Sequence, residues 1–381
     1  MRKNLLCIGD VLSPYRSAII MTRLIDYEPD KKINVILVSK SYVSPEKYGS
    51  ILGKSLAKII SDLYYWIDLF LKLPFTDVVY LMPQNHKCFL PLYILNLVFR
   101  KPIISDLYVS LYDTRMDRGA GELSTTNRIL NNTHYLKLLD RLIIEKSTLV
   151  THPTKGELIH ISETVGAKLG ENYAILPLAV KRRRHADPTH SDIFRICWWG
   201  SWIPLHGIEN ILRATKIVAQ KGYNIHLDLL GTDSPEARDY IKFIEELSVE
   251  KWTTVYYNKS FTNGLLEEHL VKHCDLALGN FGNSEKAKNV ITNKIIDAMA
   301  MQIPVLTMNN PVLEEFFDIN NDLFVSSNDP AEIAAEIISI ISNPSECKRR
   351  SINGHERYLK DFTPEKYYED FTTLIYNVAG I

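Results

Sequence analysis

The chain has 381 residues, more than a single hydrophobic core usually supports, so we expect two domains. With 46% hydrophobic and 23% charged residues, it has the composition of a soluble globular protein, and a formal net charge of −1 excludes a polyanion binder that works through overall charge. Five scattered cysteines, without a CxxC motif or a Cys/His cluster at zinc spacing, favour a reducing cytosol and give no metal site.

Short apolar strands alternate with amphipathic helices along the chain, which predicts parallel α/β layers. The predicted strands of the first half span 4–8, 33–38, 77–81, 102–106, 149–152 and 174–176. Those of the second half span 194–198, 226–230, 254–257, 276–278, 305–307 and 323–325. The predicted helices between them include 136–146, 207–220, 235–247, 265–273 and 330–342, and a last one covers 363–377.

Three apolar stretches raise the question of a membrane. The stretch 5–8 is too short for a signal peptide and is typical of a first strand. The stretch 89–99 is too short to span a bilayer, and 63–73 is interrupted by charges, so we expect core helices. The alternative is a helix resting on a membrane surface. In that case the basic residues near lipid headgroups would be Lys54, Lys58, Lys72, Arg100 and Lys101.

The stretch 181–192, KRRRHADPTHSD, is basic and then polar with a proline. A basic run of this length can bind nucleic acid, but a short and isolated run is more typical of a solvated linker. We therefore expect one α/β domain on each side of it and no nucleic-acid partner.

The segment 289–307, NVITNKIIDAMAMQIPVLT, predicts a helix followed by a buried strand. Asn293 is a suitable N-cap, and Lys294 and Asp297 share one face of the first turn. A helix N-terminus attracts phosphate, the lysine adds a positive charge, and the carboxylate can accept hydrogen bonds from ribose hydroxyls. These features predict a nucleotide-diphosphate site; the alternative is an ordinary amphipathic surface helix.

The pattern N-K-x-x-(D/E)-A-x-A-x-x-x-P-V in this segment resembles the nucleotide-sugar site of GT-B glycosyltransferases, close to family 4, the group 1 glycosyltransferases. The run 279–288 resembles the loop that leads into that helix. The resemblance implies an α/β fold of two Rossmann-like, doubly wound parallel-sheet domains facing a central cleft. It implies an acceptor domain over 1–185, a donor domain over 190–360, and a helix over 361–381 that crosses back to the first domain.

A second segment, CWWGSWIPLHG at 197–207, resembles the first strand, glycine turn and helix start of the family's donor domain. Gly200 lets the backbone approach a phosphate or sugar. The family's lysine is replaced by His206, and the usual arginine after the glycine is absent. The resemblance implies these donor-binding residues: Gly200, Ser201, His206, Gly231, Phe281, Gly282, Lys286, Asn289, Asn293, Lys294 and Asp297.

The family's Glu-x7-Glu motif is also altered, because Asn289 stands at the first acidic position and Asp297 at the second. An asparagine can hydrogen-bond a sugar but cannot act as an acid or base. We therefore expect altered sugar recognition, and the retaining outcome typical of the family is less firmly implied.

The stretch 105–118, SDLYVSLYDTRMDR, is polar for the end of a buried strand and resembles the family's acceptor region. Asp106 and Asp113 are candidates to bind or deprotonate an acceptor hydroxyl; the alternative is a loop held by Asp–Arg pairs. The further acceptor-binding candidates are Asp10, Arg16 and Arg118.

The resemblance thus implies transfer of a sugar from a UDP- or GDP-linked donor to a hydroxyl acceptor, with retention. The acceptor would be a polysaccharide, a lipid-linked oligosaccharide or another glycan, handled in the cytoplasm or at the cytoplasmic face of a membrane. No cofactor and no metal are expected, because no Asp-x-Asp triad is present. The alternatives are a nucleotide-sugar epimerase of the same fold and a non-catalytic glycosyltransferase-like subunit.

Overall fold

The computed structural model describes residues 2–10, 16–21, 33–39, 51–117, 132–187 and 192–380, without the side chains of 17, 21, 51–55 and 58. Its contacts divide the chain into two units. The N-terminal unit comprises 1–177 together with 367–381, and the C-terminal unit comprises 178–366.

The N-terminal unit is built on a parallel sheet of six strands in the order β2-β1-β3-β4-β5-β6. Its strands are β1 (Lys3–Ile8), β2 (Ile33–Val38), β3 (Val78–Leu81), β4 (Ile103–Asp106), β5 (Leu149–His152) and β6 (Tyr173–Ile175). Its helices are α1 (Arg16–Met21), α2 (Ile51–Lys72), α3 (Phe89–Phe99), α4 (Leu111–Asp117), α5 (Thr133–Lys146) and α6 (Lys155–Val165).

The C-terminal unit carries a second parallel sheet of six strands in the order β12-β11-β10-β7-β8-β9. Its strands are β7 (Phe194–Trp199), β8 (Ile225–Gly231), β9 (Thr253–Tyr257), β10 (Leu276–Leu278), β11 (Val305–Met308) and β12 (Phe324–Ser326). Its helices are α7 (Ile208–Gln220), α8 (Pro235–Leu247), α9 (Leu265–His273), α10 (Asn293–Ala300), α11 (Pro330–Ser342) and α12 (Pro344–Asp361), and α13 (Pro364–Ala379) follows.

The predicted fold class is confirmed, because both sheets are parallel and their strands are connected through helices. In the C-terminal sheet the strand order reverses between β7 and β10. In open sheets of this kind ligands bind beyond the carboxyl ends of the strands at such a point. The residues that follow β7 and β10 are therefore candidates for a ligand-binding site.

Helix α2 differs from the prediction of a core helix. Ala57, Tyr65 and Leu69 are buried on one side, but apolar side chains on the opposite side are exposed. Among the described residues, no helix combines the length and the hydropathy needed to cross a membrane.

The basic run beginning at Lys181 also differs from the predicted solvated linker, because its described part packs on the C-terminal unit. The amide of Ala186 donates to the carbonyl of Met301, and the amide of Asp187 donates to that of Val271. The unit begins before this run, at Leu178.

The last helix, α13, packs on the N-terminal unit from Tyr367 onward. Its Phe371 ring meets the Tyr80 ring edge-on, with centroids 4.9 Å apart. Its Tyr367 hydroxyl accepts a hydrogen bond of 3.0 Å from Arg16 Nε. The N-terminal unit thus includes a helix from the far end of the sequence.

Candidate functional site

Gly200 directly follows β7 and has a backbone that favours glycine, with φ at +144°. A Cβ built on it would lie 3.6 Å from His206 Nε2 and 3.6 Å from Lys294 Nζ. Three residues from two separate predicted motifs therefore meet beyond the carboxyl end of β7, at the reversal of strand order.

Lys294 and His206 form a buried pair, with 3.0 Å between Lys294 Nζ and His206 Nδ1. The Lys294 ammonium also lies 4.5 Å from the centroid of the Trp198 ring. Burial lowers the pKa of Lys294 well below its ordinary value. Burial, and then the neighbouring Lys294, likewise lower the pKa of His206. The pair is thus held where positive charge is costly, and an anion would relieve that cost.

Helix α10 begins at Asn293, so the N-cap is Thr292 and not Asn293 as predicted. Helix boundaries inferred from sequence are uncertain by a residue or two. The Thr292 side chain makes no capping hydrogen bond, and its buried hydroxyl has no partner within the described parts of the chain. The first turn of α10 therefore presents amides that this side chain does not satisfy, beside Lys294.

The loop after β10 is locked against the turn that holds His206. The Phe281 amide donates to the carbonyl of His206 at 3.0 Å, and the Gly282 amide donates to that of Leu205 at 3.2 Å. A Cβ on Gly282 would lie 2.4 Å from the Leu205 carbonyl oxygen, so only glycine fits. The Phe281 side chain is fully buried in the hydrophobic core, so any part it takes in binding is through its backbone.

Gly231 ends β8 and is explained by packing. A Cβ on it would lie 2.6 Å from the Trp202 indole, whose Nε1 donates to the Thr232 carbonyl at 2.7 Å. The glycine therefore makes room for a tryptophan beside the site.

Asp297 is fully buried and bound by Arg183, with 2.8 Å between Asp297 Oδ1 and Arg183 Nη2. Arg183 also lies 3.5 Å from Glu267 and stacks on the Phe261 ring at 3.6 Å. Sequence reasoning missed Arg183, since it lies 114 positions from its partner. The Asp297 carboxylate, which was predicted to anchor a ribose, thus forms an ion pair with the Arg183 guanidinium.

The remaining donor-side residues are peripheral or partly buried. Ser201 is exposed, and Lys286 is buried. The Asn289 amide group donates to the Glu285 carbonyl at 2.8 Å, on the exposed side of the loop. Among the described residues, no hydrogen bond links Asn289 to Gly200, His206 or Lys294.

In the N-terminal unit, Arg16 and Asp106 form a fully buried ion pair of 3.2 Å. The Tyr80 hydroxyl donates to the same Asp106 oxygen at 2.9 Å. Burial raises the pKa of Asp106, although Arg16 opposes the shift. Both residues were predicted to meet the acceptor, but their burial and mutual pairing favour a structural role that fixes α1 and α13 on the sheet.

The other acceptor-side candidates lie nearer the surface or outside the described residues. The Asp10 carboxylate accepts a hydrogen bond from Ser39 Oγ, and its backbone is held by Asn85. Asp113 lies in α4, 3.8 Å from His160 Nε2, and is about 8% exposed. Arg118 lies outside the described residues.

Sequence reasoning also missed a buried dyad after β3. His86 Nδ1 lies 2.8 Å from Asp140 Oδ1, and Ser110 Oγ donates to the other Asp140 oxygen at 2.6 Å. The two residues are 54 positions apart, and no local pattern links them.

One group of potential metal ligands occurs among the described residues. It consists of Cys197, Asp228 and His269, all buried. Asp228 already pairs with His269 at 2.9 Å and with Arg195 at 3.4 Å. Hydrogen bonds and charges within the protein therefore account for this group.

Comparisons with known proteins agree with the fold. Residues 190–357 match the family model described as glycosyl transferases group 1. A curated relative, the capsular polysaccharide biosynthesis glycosyltransferase CapM of Staphylococcus aureus, is 24% identical over 189 residues. That match covers 48% of this chain and 46% of the relative, so the chain spans about half the length of the curated relative it matches.

Solved structures are similar over nearly the full length. HepE from Anabaena, in complex with UDP and glucose, has a TM-score of 0.69 at 13% identity, covering 99% of this chain and 100% of that one. Sucrose-phosphate synthase from Thermosynechococcus elongatus has a TM-score of 0.72 at 13% identity, covering 99% of each chain. At this level of identity the likeness shows a shared fold.

Proposed function

We propose that this protein transfers a sugar from a nucleoside diphosphate sugar to a hydroxyl acceptor, because residues 190–357 match the family model described as glycosyl transferases group 1. We propose UDP or GDP as the nucleotide, retention at the anomeric carbon, and a polysaccharide or lipid-linked glycan as the acceptor. The similarity to a capsular polysaccharide glycosyltransferase supports the polysaccharide acceptor, and the similarity to a protein solved with UDP supports that nucleotide. Retention is proposed on the family resemblance of the 289–307 segment.

The observation that carries the proposal is the buried Lys294–His206 pair beside Gly200. The pair lies at the reversal of strand order, where such sheets bind ligands. It also lies at the start of α10, whose dipole favours an anion. A diphosphate bound there would be a negatively charged partner for the Lys294 ammonium, which pairs with no carboxylate among the described residues.

The pair assigns distinct roles to its two members. A charged Lys294 donates a hydrogen bond to His206 Nδ1, so the one ring hydrogen of the neutral imidazole lies on Nε2. Nε2 faces the space above Gly200, so the neutral imidazole can donate a hydrogen bond to a phosphate oxygen. His206 thereby replaces the family's lysine as a donor without adding a second charge, and Lys294 stabilises the departing diphosphate.

On the acceptor side, we propose Asp113 rather than Asp106 as the carboxylate that meets the acceptor hydroxyl. The buried Asp106 carboxylate is bound by Arg16 and Tyr80, whereas the Asp113 side chain, beside His160, is partly exposed to solvent. Phosphate-assisted attack on the same face of the sugar would need no strong base, which fits a carboxylate that only orients the hydroxyl. We include contact with a membrane in the proposal, because a lipid-linked acceptor is anchored there.

Turnover of a donor panel tests the proposal. Purified protein is incubated with UDP-, GDP- and TDP-linked sugars, with and without glycan acceptors, and release of free nucleotide is followed. We expect release from one nucleotide class, abolished in Lys294→Ala and retained in the control Lys288→Ala, which removes an exposed lysine paired with Glu285. Absence of release together with absence of nucleotide binding would refute the proposal and favour a non-catalytic subunit.

A further inference from the structure

Helix α2 exposes a continuous row of large apolar side chains. Ile59, Leu63, Ile67 and Phe70 recur every three or four residues and therefore share one side of the helix. Each exposes between 47% and 64% of its surface. The opposite side of the helix is buried in the core of the N-terminal unit, so this row is a second apolar face that the core does not require.

Helix α3 extends the row. Its Leu97 and Val98 expose 59% and 76% of their surfaces. The two helices touch through Phe70 and Phe99, whose ring centroids are 5.9 Å apart. We call Ile59, Leu63, Ile67 and Phe70 of α2 with Leu97 and Val98 of α3 the α2–α3 face.

The apolar surface here is large for a protein in water. Phe70 of the face exposes 54% of its surface, and Tyr64 and Phe75, which lie close to it in the chain, expose 56% and 73%. With roughly 200 Å² for each aromatic side chain, these three alone contribute on the order of 300–400 Å². Soluble monomers rarely expose contiguous apolar patches larger than a few hundred Å², and larger ones mark a binding surface.

The charge around the face identifies the kind of partner. The segment 51–101, which contains α2 and α3, has six basic and three acidic residues and thus a net charge of +3, whereas the whole chain has −1. Lys72, Arg100 and Lys101 lie at the ends of the two helices. Apolar side chains flanked by basic ones match a bilayer interface that contains anionic lipids.

We propose that the α2–α3 face binds the surface of a bilayer containing anionic lipid, with both helices lying in the interface. This rests on the proposed function in that a lipid-linked acceptor would be presented at that surface. A second copy of the chain fits the face less well, because pairing two copies would bring two segments of charge +3 together. Neither helix spans the bilayer, so the contact is peripheral.

Vesicle sedimentation tests this inference. The full-length protein is mixed with sucrose-loaded vesicles of phosphatidylcholine, with or without 30 mol% (about a third) phosphatidylglycerol, a composition chosen to reproduce an anionic surface. We expect sedimentation with the anionic vesicles, and at least a tenfold lower partition coefficient for the double variant Ile59→Glu/Leu63→Glu, because each apolar side chain loses its burial in lipid. Arg100→Gln/Lys101→Gln should lower binding to anionic vesicles selectively.

The matched control is Ile352→Glu/Leu359→Glu, which introduces the same two charges at exposed apolar residues of the C-terminal unit. It should bind vesicles like the wild type, and melting temperatures verify that all variants fold. No binding by the wild type, or equal loss in the control, would overturn the inference. So would a stable wild-type dimer that Ile59→Glu/Leu63→Glu converts to a monomer. Donor turnover on the same samples separates the two proposals, since vesicle binding without turnover refutes only the proposed function.

Discussion

Replacing Lys294 with methionine should change ligand binding and stability in opposite directions. Lys294 Nζ contacts His206 at 3.0 Å and the Trp198 ring at 4.5 Å, and no carboxylate pairs with it among the described residues. Its positive charge is therefore poorly compensated until an anion arrives. Methionine keeps the length of the side chain and removes the charge.

The expected loss in binding follows from the charge alone. One ammonium about 4 Å from a phosphate contributes about 4 kcal/mol at an effective dielectric constant of 20. A charged hydrogen bond measured by mutation contributes about 1.5–3 kcal/mol. Taking about 3 kcal/mol, the dissociation constant for UDP or GDP should rise by roughly a hundredfold or more.

The ligand-free variant should be slightly more stable than the wild type. Relief of a desolvated ammonium by about 1 kcal/mol would raise the unfolding temperature of a unit of this size by about 2–4 °C. Isothermal titration calorimetry and differential scanning calorimetry measure the two effects. A variant that melts earlier and binds nucleotide with unchanged affinity would refute the reasoning about this pair.

Three further predictions concern charge. A bound diphosphate favours the charged form of Lys294, so nucleotide binding should be accompanied by uptake of a proton. For the same reason, the affinity for nucleotide should fall as the pH rises above neutral. Calorimetry in buffers of different ionisation enthalpy measures the proton uptake. Since the folded state binds fewer protons at Lys294 than the unfolded state, ligand-free stability should rise with pH below 10.5, and this rise should be smaller in Lys294→Met. Arg183→Met should lower the unfolding free energy by about 3–5 kcal/mol, because it removes the guanidinium that pairs with the buried Asp297 carboxylate, whereas exposed Arg184→Met should have little effect.

The strands were predicted to within one residue because buried parallel strands are short apolar runs bounded by polar or turn residues. The same signal failed for α12 (Pro344–Asp361), because this helix is largely polar and has few apolar residues. Apolar spacing also does not show which sides of α2 are covered, because it indicates that an apolar face exists but not what packs against that face. The position of α10 was predicted, and its cap was misplaced by one residue.

The site was predictable where it depends on local motifs and unpredictable where it depends on distant partners. Gly200, His206 and Lys294 were each identified from nearby residues, and the strand order brings them together. Arg183 and Asp297 meet only through the fold, so no local pattern could link them. Asp106 shows the opposite error, because a carboxylate at a strand end resembles a catalytic group until its buried partner is known.

The discontinuous composition of the N-terminal unit has a consequence for biosynthesis. Residues 1–177 leave the ribosome first, yet Arg16 and Tyr80 remain without Tyr367 and Phe371 of α13 until the whole C-terminal unit has been translated. Until then the N-terminal unit is incomplete, and its Arg16 side chain and Tyr80 ring are accessible to chaperones. Completion of the N-terminal unit is therefore a late step in folding, after the C-terminal unit has been translated.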